Sequence, residues 1–268
     1  MIEVKNVTKR YGDKAVVEEV SIQIMKGGIT SLIGPNGAGK STLLGMMSRL
    51  LHIDEGEIFV DGLDVSQTPG DQMAKKLSIL RQSNHFEARL TVEDLVTFGR
   101  FPYTKGRPTI KDKEFVDRAI HYLELEDLRF RFLDQLSGGQ QQRAFVAMVL
   151  AQDTDYVLLD EPLNNLDMRH SIGMMQQLRR IVNDFGKTVV VVLHDINFAS
   201  WYSDSIIAMR DGKLVYHAGP EVVITPQALL DLYDVEVTVE TIQGKSVGVY
   251  YGALSIPPTK PAAPAEHD

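Results

Sequence analysis

The sequence predicts an α/β fold with a mostly parallel core sheet flanked by helices, and three observations carry that reading. Two short aliphatic runs, 156–159 and 188–193, stand between helical patterns without polar alternation. Strands buried on both faces of a parallel sheet look like this. The first sixty residues instead alternate apolar and polar positions, which predicts an N-terminal antiparallel β portion. The middle of the chain carries helical patterns only and reads as a helical insertion subdomain. A length of 268 residues, 44% hydrophobic and 24% charged, suits one large domain with a small C-terminal helix plus β-hairpin appendage.

Taken in order, Ile2, Val4 and Val7 alternate with charged and polar residues, and the first ten positions hold no apolar h-region. The fold is therefore expected to begin at once, without a signal peptide. Val20, Ile22 and Ile24 mark a second strand, 29–33 a third, and 57–60 a fourth that ends at Asp61-Gly62; a helix from Ser41 to about Leu51 lies between the last two. Helical patterns follow at 91–100 and 112–125, separated by a loop at 101–108. After Ser137 the order is helix, strand 156–159, helix 167–185 stopped by Gly186, strand 188–193, short helix 196–202, and a hairpin turning at Asp211-Gly212. Thr225-Pro226 opens a further helix as N-cap and first helical residue. Val235, Val237 and Val239 are expected to pair with Val247, Val249 and Tyr251 across a Gln243-Gly244-Lys245 turn. The expected boundaries are a main domain at 1–220 with its insertion at about 83–150, an appendage at 221–256, and a tail at 257–268. Four prolines in twelve residues predict that the tail is disordered.

Composition excludes several functions. With 28 Lys+Arg against 36 Asp+Glu, the net charge of -8 gives no general attraction to nucleic-acid phosphates or anionic lipid, so no nucleic-acid partner is expected. The absence of cysteine removes thiol catalysis, Cys-ligated zinc and iron–sulfur clusters. The longest aliphatic run, 189–193, falls far short of the roughly 20 residues that span a bilayer. A chain that stays in the cytoplasm is expected.

The chemistry is carried by short motifs. The strand at 29–33 runs into Gly34-Pro35-Asn36-Gly37-Ala38-Gly39-Lys40-Ser41, which fits the phosphate-loop pattern G-x-x-x-x-G-K-[ST], and Thr42 follows in the same nucleotide-binding set. Its glycines let backbone N–H groups curl around a β-phosphate, Lys40 reaches the β/γ oxygens, and Ser41 offers its hydroxyl to Mg²⁺ at a helix N-terminus. An accidental match somewhere in the chain has a chance of roughly 1%. The second half of such a site is a buried strand ending in acid, here 156–159 followed by Asp160-Glu161. Asp160 would hold Mg²⁺ through water, and Glu161 would orient and deprotonate the attacking water. Alone, two acids after a strand equally describe a solvated turn. Beside a phosphate loop they define a P-loop NTPase, though not which kind.

The discriminating segment is Leu136-Ser137-Gly138-Gly139-Gln140, followed by Gln141-Gln142-Arg143-Ala144. Ser137 with Gln140 three residues on reads as a capping box, opening a helix whose N–H groups and dipole attract an anion. With this segment upstream of Asp160-Glu161, the chain resembles the ATP-binding-cassette (ABC) family over roughly residues 1–220. The resemblance implies that Ser137 and Gly139, with Gly138 and Gln140 in the same nucleotide-binding set, point at the γ-phosphate of ATP held by another subunit. It implies that Tyr11, 23 residues before Gly34, stacks on adenine. It also implies that Gln82 senses Mg²⁺ and couples to a partner, that Asp167 in Asn164-Asn165-Leu166-Asp167 is the D-loop acid, and that His194 contacts the γ-phosphate. Asp167 also suits the N-cap of its helix. Leu163 departs from the Thr or Ser of many members.

A site completed by a second subunit implies a head-to-tail homodimer with two ATP molecules at its interface. The 97 residues from Lys40 to Ser137 show no sustained heptads, which argues against the chromosome-type members, and a single cassette argues against the translation type. The segments 91–103 and 161–167 look most like the ATPases of bacterial ferric-siderophore importers. That likeness implies ATP hydrolysis driving import of an iron-siderophore complex, with integral-membrane permease subunits as partners and an extracytoplasmic siderophore-binding protein acting indirectly. The chain would then sit peripherally on the cytoplasmic face of the cell membrane. Permease loops are expected in the groove between the Gln82 segment and 91–125. The alternatives are a haem, cobalamin or metal-ion importer, or a soluble ABC ATPase outside transport.

Overall fold

The computed structural model describes residues 1–82, 88–164 and 166–250. The chain opens with an antiparallel pair, β1 (Ile2–Tyr11) and β2 (Lys14–Ile24), and then enters β3 (Gly28–Ile33) and α1 (Lys40–Met47). Next come β4 (Glu55–Val60), β5 (Leu63–Asp64), α2 (Gly70–Met73) and β6 (Leu77–Leu80). A helical lobe follows, built from α3 (Val92–Phe98), α4 (Phe101–Thr104), α5 (Ile110–Tyr122) and α6 (Gly138–Ala151). The chain returns through β7 (Tyr156–Leu159), α7 (Met168–Phe185), β8 (Thr188–Val192), α8 (Ile196–Tyr202), β9 (Ser205–Arg210) and β10 (Lys213–Ala218). It ends on α9 (Pro220–Val223), α10 (Pro226–Tyr233), β11 (Thr238–Ile242) and β12 (Lys245–Val249).

Six strands form the central sheet in the order β10-β9-β3-β8-β7-β6, parallel except for the β9–β10 hairpin. Four more form an antiparallel sheet in the order β2-β1-β4-β5. Side chains alternate across the central sheet, and both faces are apolar. Ile29, Val157, Leu159, Val189 and Val191 point into one core with the helical lobe and α7. Leu32, Leu158, Val190 and Val192 point into a second core with α1 and the antiparallel sheet. Strands with two dry faces need unbroken aliphatic runs, which is why 156–159 and 188–193 lack polar alternation.

Several boundaries differ from expectation. α1 stops at Met47 rather than near Leu51, because Arg49 turns into the left-handed region at φ 63° and the amides of Leu50 and Leu51 close back on the Gly45 carbonyl. The expected loop at 101–108 begins with α4, whose Pro102 sits in the first turn, where its missing N–H costs nothing. The C-terminal hairpin turns on two residues, Gln243 and Gly244, both at positive φ. That tight turn pairs Ile242 with Lys245 and sets Val239 opposite Gly248, so Lys245 belongs to a strand and Val235 and Val237 precede the ladder. The hairpin docks on α8, where Asn197 exchanges two hydrogen bonds with the Gly248 backbone. Val223, Leu229, Leu232 and Val237 join the helical-lobe core. Tyr251, the rest of the expected appendage, the tail at 257–268, the start of the insertion at 83, and Asn165 lie outside the described residues.

One buried ion pair braces the helical lobe. Arg100 and Asp112 are 4% and 6% exposed, and Arg100 Nε donates to Asp112 Oδ1 at 3.0 Å while its Nη1 donates to the Ala151 carbonyl at 2.8 Å. The guanidinium lies over the rings of Tyr103 and Phe115, 4.1 and 4.0 Å from their centroids. Burial raises the Asp112 pKa, but bonds from Thr109 and Arg100 outweigh it and hold the carboxyl below its ordinary value. Asp112→Asn would leave Arg100 buried without a counter-charge, and urea unfolding at neutral pH should register a loss of about 3–5 kcal/mol. A carboxyl with a depressed folded pKa stabilises above its unfolded value, near 3.9, and less as pH falls through the lower folded value. The gap between wild type and variant should therefore narrow below about pH 4.

Candidate active site

The site lies where the parallel strands end. Ile33 closes β3, and the chain turns at Gly34, whose φ of 142° and close approach to the Met209 carbonyl (2.0 Å from an imagined Cβ) leave room for glycine alone. The loop then curls into α1, which has no side-chain cap on its first turn, so its amides remain available to an anion. Lys40 is buried, and its Nζ donates to the carbonyls of Gly34 and Pro35 at 2.8 and 2.9 Å. Burial lowers the Lys40 pKa, against the pull of Glu161 and Asp160.

β7 delivers the acid pair. Ser41 Oγ donates to Asp160 Oδ1 at 2.8 Å. Burial raises the Asp160 pKa; the Ser41 bond opposes the shift and the charge of Glu161 reinforces it. Glu161 sits at φ 51°, a left-handed position uncommon for a side chain of this size. Three elements hold its carboxylate. Gln82, just past β6, donates through Nε2 to Oε2 at 2.6 Å; Asn164 donates through Nδ2 to the same oxygen at 2.9 Å; and His194, just past β8, meets Oε1 through Nε2 at 2.8 Å. Phosphate loop, Asp160, Glu161, Gln82 and His194 thus form one cluster drawn from four strand ends. Asn164 joins it without having been singled out, although its place three residues after Glu161 in one tight turn was a usable signal.

The other expected residues form separate groups. Ser137 caps α6, with its Oγ accepting from the Gln140 amide at 3.3 Å and Gln140 Oε1 accepting from the Ser137 amide at 3.0 Å. Gly139 is buried against His170. Asp167 caps α7, accepting from the His170 amide at 2.8 Å and meeting its Nδ1 at 2.7 Å. Those bonds hold the Asp167 carboxyl below its ordinary pKa. Tyr11 is 53% exposed at the tip of the β1–β2 hairpin, whose Val16 and Val17 abut Gly39. Lys9 lies over the Tyr11 ring at 5.6 Å.

A phosphate-cradling loop after a central parallel strand, with an acid pair at the end of a neighbouring strand, defines a P-loop nucleoside triphosphatase. The sequence model of the family described as ABC transporter matches residues 17–164, and the chain belongs to the ABC transporter family as an ATP-hydrolysing member. It is 55% identical over 251 residues to the petrobactin import ATP-binding protein YclP of Bacillus subtilis (strain 168), a match covering 94% of this chain and 100% of YclP. It is 52% identical over 256 residues to the petrobactin import ATP-binding protein FatE of Bacillus anthracis, covering 96% and 100%. Among solved structures, a dimeric bacterial ABC transporter cassette superposes with a TM-score of 0.73 at 32% identity, over 82% of this chain and 99% of the other. Among the described residues, no helix is long and apolar enough to cross a membrane.

Half-burial of Asp160 beside Glu161 costs stability that the Ser41 bond and the charges of Lys40 and His194 offset only in part. Its raised pKa means that the folded state prefers the protonated form, so the penalty develops as pH rises through the folded pKa. Asp160→Asn should stabilise the nucleotide-free protein at pH 7 by about 1 kcal/mol, a rise of a few degrees in thermal midpoint that shrinks in acid. A lower midpoint for the variant would show that the carboxylate is a net stabiliser.

Proposed function

We propose that this chain is the ATPase subunit of an importer for a ferric siderophore of the petrobactin type. The observation that carries the reading is 55% identity to YclP along the whole of that protein. Import by such a system needs membrane permease subunits, on which this chain would sit peripherally from the cytoplasmic side, and an extracytoplasmic siderophore-binding protein that it serves indirectly.

In this reading the amides of 34–42 and the Lys40 ammonium bind the β- and γ-phosphates, exchanging two backbone carbonyls for charged oxygens. Tyr11 stacks on the adenine. Glu161 takes the proton of the attacking water, and Gln82, Asn164 and His194 fix where its carboxylate points. Ser41, Asp160 and the Gln82 side-chain carbonyl are hard oxygen donors, a set that fits Mg²⁺ and would hold it. Bound there, the ion would neutralise charge on the transferring phosphate. The turn of Ser137, Gly138, Gly139 and Gln140 is joined to Asp167 through His170, which supports their use together by a second copy in a head-to-tail dimer. The dimeric cassette at 32% identity supports the same arrangement.

Steady-state ATPase assays should find Glu161→Gln slower by about 10²–10⁴-fold, with ATP binding intact and a dimer accumulating. Retained turnover would remove Glu161 as the base. Lys40→Ala should weaken ATP binding itself, read by titration with a fluorescent nucleotide. For the cargo, this chain in place of YclP in Bacillus subtilis should restore uptake of radio-iron petrobactin, and its Glu161→Gln form should not. Failure of the intact chain to restore uptake, with protein present at normal levels, would overturn the assignment.

A further inference from the structure

Gly139 has no backbone reason to be glycine, since its φ lies outside the left-handed region and it occupies the first turn of α6. A side chain explains it. An imagined Cβ would stand 2.7, 2.9 and 3.2 Å from Cδ2, Cγ and Nε2 of His170, so its three nearest atoms belong to one imidazole. The same ring reaches Asp167 with its opposite edge, where Nδ1 lies 2.7 Å from Oδ1. A carboxylate oxygen only accepts, so Nδ1 carries the proton and donates. The backbone amide of His170 donates to that oxygen as well, at 2.8 Å. A flat ring is thus pinned on one side by the N-cap of α7 and pressed on the other against the first turn of α6.

We infer that His170 is a positioning residue that locks Asp167 and the 137–139 turn into one rigid surface for the ATP held by a second copy of this chain. The inference rests on the head-to-tail dimer proposed above. A turn opening with two consecutive glycines has much backbone freedom to lose on meeting a partner. A ring already seated on it removes part of that ordering cost before the dimer forms. His170 bonds to Asp167 and packs on Gly139, not on the phosphate loop, so nucleotide binding within one chain should not depend on it.

The test uses full-length protein carrying Glu161→Gln, in which hydrolysis is slowed, and reads two quantities: ATP-dependent dimerisation by light scattering, and binding of a fluorescent ATP analogue to the monomer. Adding His170→Ala should weaken dimerisation about tenfold. Monomer affinity should change by less than about twofold. Asp167→Ala should weaken the dimer too, and combining it with His170→Ala should cost less than the two losses together. His170→Gln, which keeps a donor within reach of Asp167, should recover part of the loss. An undiminished dimer in His170→Ala, strictly additive losses with Asp167→Ala, or a monomer affinity that falls as far as the dimer affinity would overturn the inference and leave the dimer standing. No ATP-dependent dimer in Glu161→Gln alone would overturn the dimer and the inference together.

Discussion

The parallel ladder of the central sheet decides where the chemistry happens. Leu32 lies opposite Val192, Val191 opposite Leu159, and Leu159 opposite Leu80, so β3, β8, β7 and β6 end within a residue or two of one line. Whatever follows each strand must emerge at that edge: Gly34, His194, Asp160 with Glu161, and Gln82. Parallel strands cannot be joined by tight turns, and each crossover carries a long stretch of chain away and back. Residues more than one hundred positions apart therefore meet without any local interaction bringing them together. A one-residue slip in β7 would exchange Leu158 with Leu159 between two closed cores and turn Glu161 away from Gln82 and His194. The packing of the strands and the aim of the carboxylate are one constraint.

Charge at this edge is arranged at a cost to the stability of the fold. Burial pushes Lys40 and Asp160 toward their neutral forms, and Lys40 spends its protons on carbonyls of its own loop. In the helical lobe a buried charge is compensated. Arg100 and Asp112 satisfy each other, a backbone carbonyl and a capping box, with two aromatic rings against the guanidinium. The Arg100–Asp112 pair is compensated within the fold, while Lys40 and Asp160 stand at the strand edge where the phosphate loop and the acid pair meet.

The parts of the site that were legible in the sequence are those whose geometry is local. A phosphate loop, a capping box and a buried strand ending in acid are each made by neighbouring residues, so their spacing survives being written as a string. Ser137 and Asp167 cap their helices as their residue types and positions indicate. What was missed depends on contacts across the fold or on a single backbone torsion. Arg100 and Asp112 bound two separate helical patterns in the sequence, and their pairing appears only when α3, α5 and α6 pack. The hairpin register turned on whether two or three residues make the turn; Gln243 adopting positive φ beside Gly244 decides for two and shifts every partner. His170 sat in plain view three residues after Asp167, but its use of Gly139 needs α6 and α7 to be set side by side.

The two groups of site residues are joined by one short connection. Glu161 begins the 161–167 run and Asp167 ends it; Asn164, between them, is bonded to Glu161, and Asp167 is bonded to His170. The turn is tight enough that the Asn164 amide reaches the Glu161 carbonyl at 3.2 Å and the Leu166 amide reaches that of Leu163 at 3.2 Å. Glu161 and Asp167 stand six residues apart on this connection, so the acid held by Gln82 and His194 and the acid held by His170 are delivered by one short stretch of chain between β7 and α7.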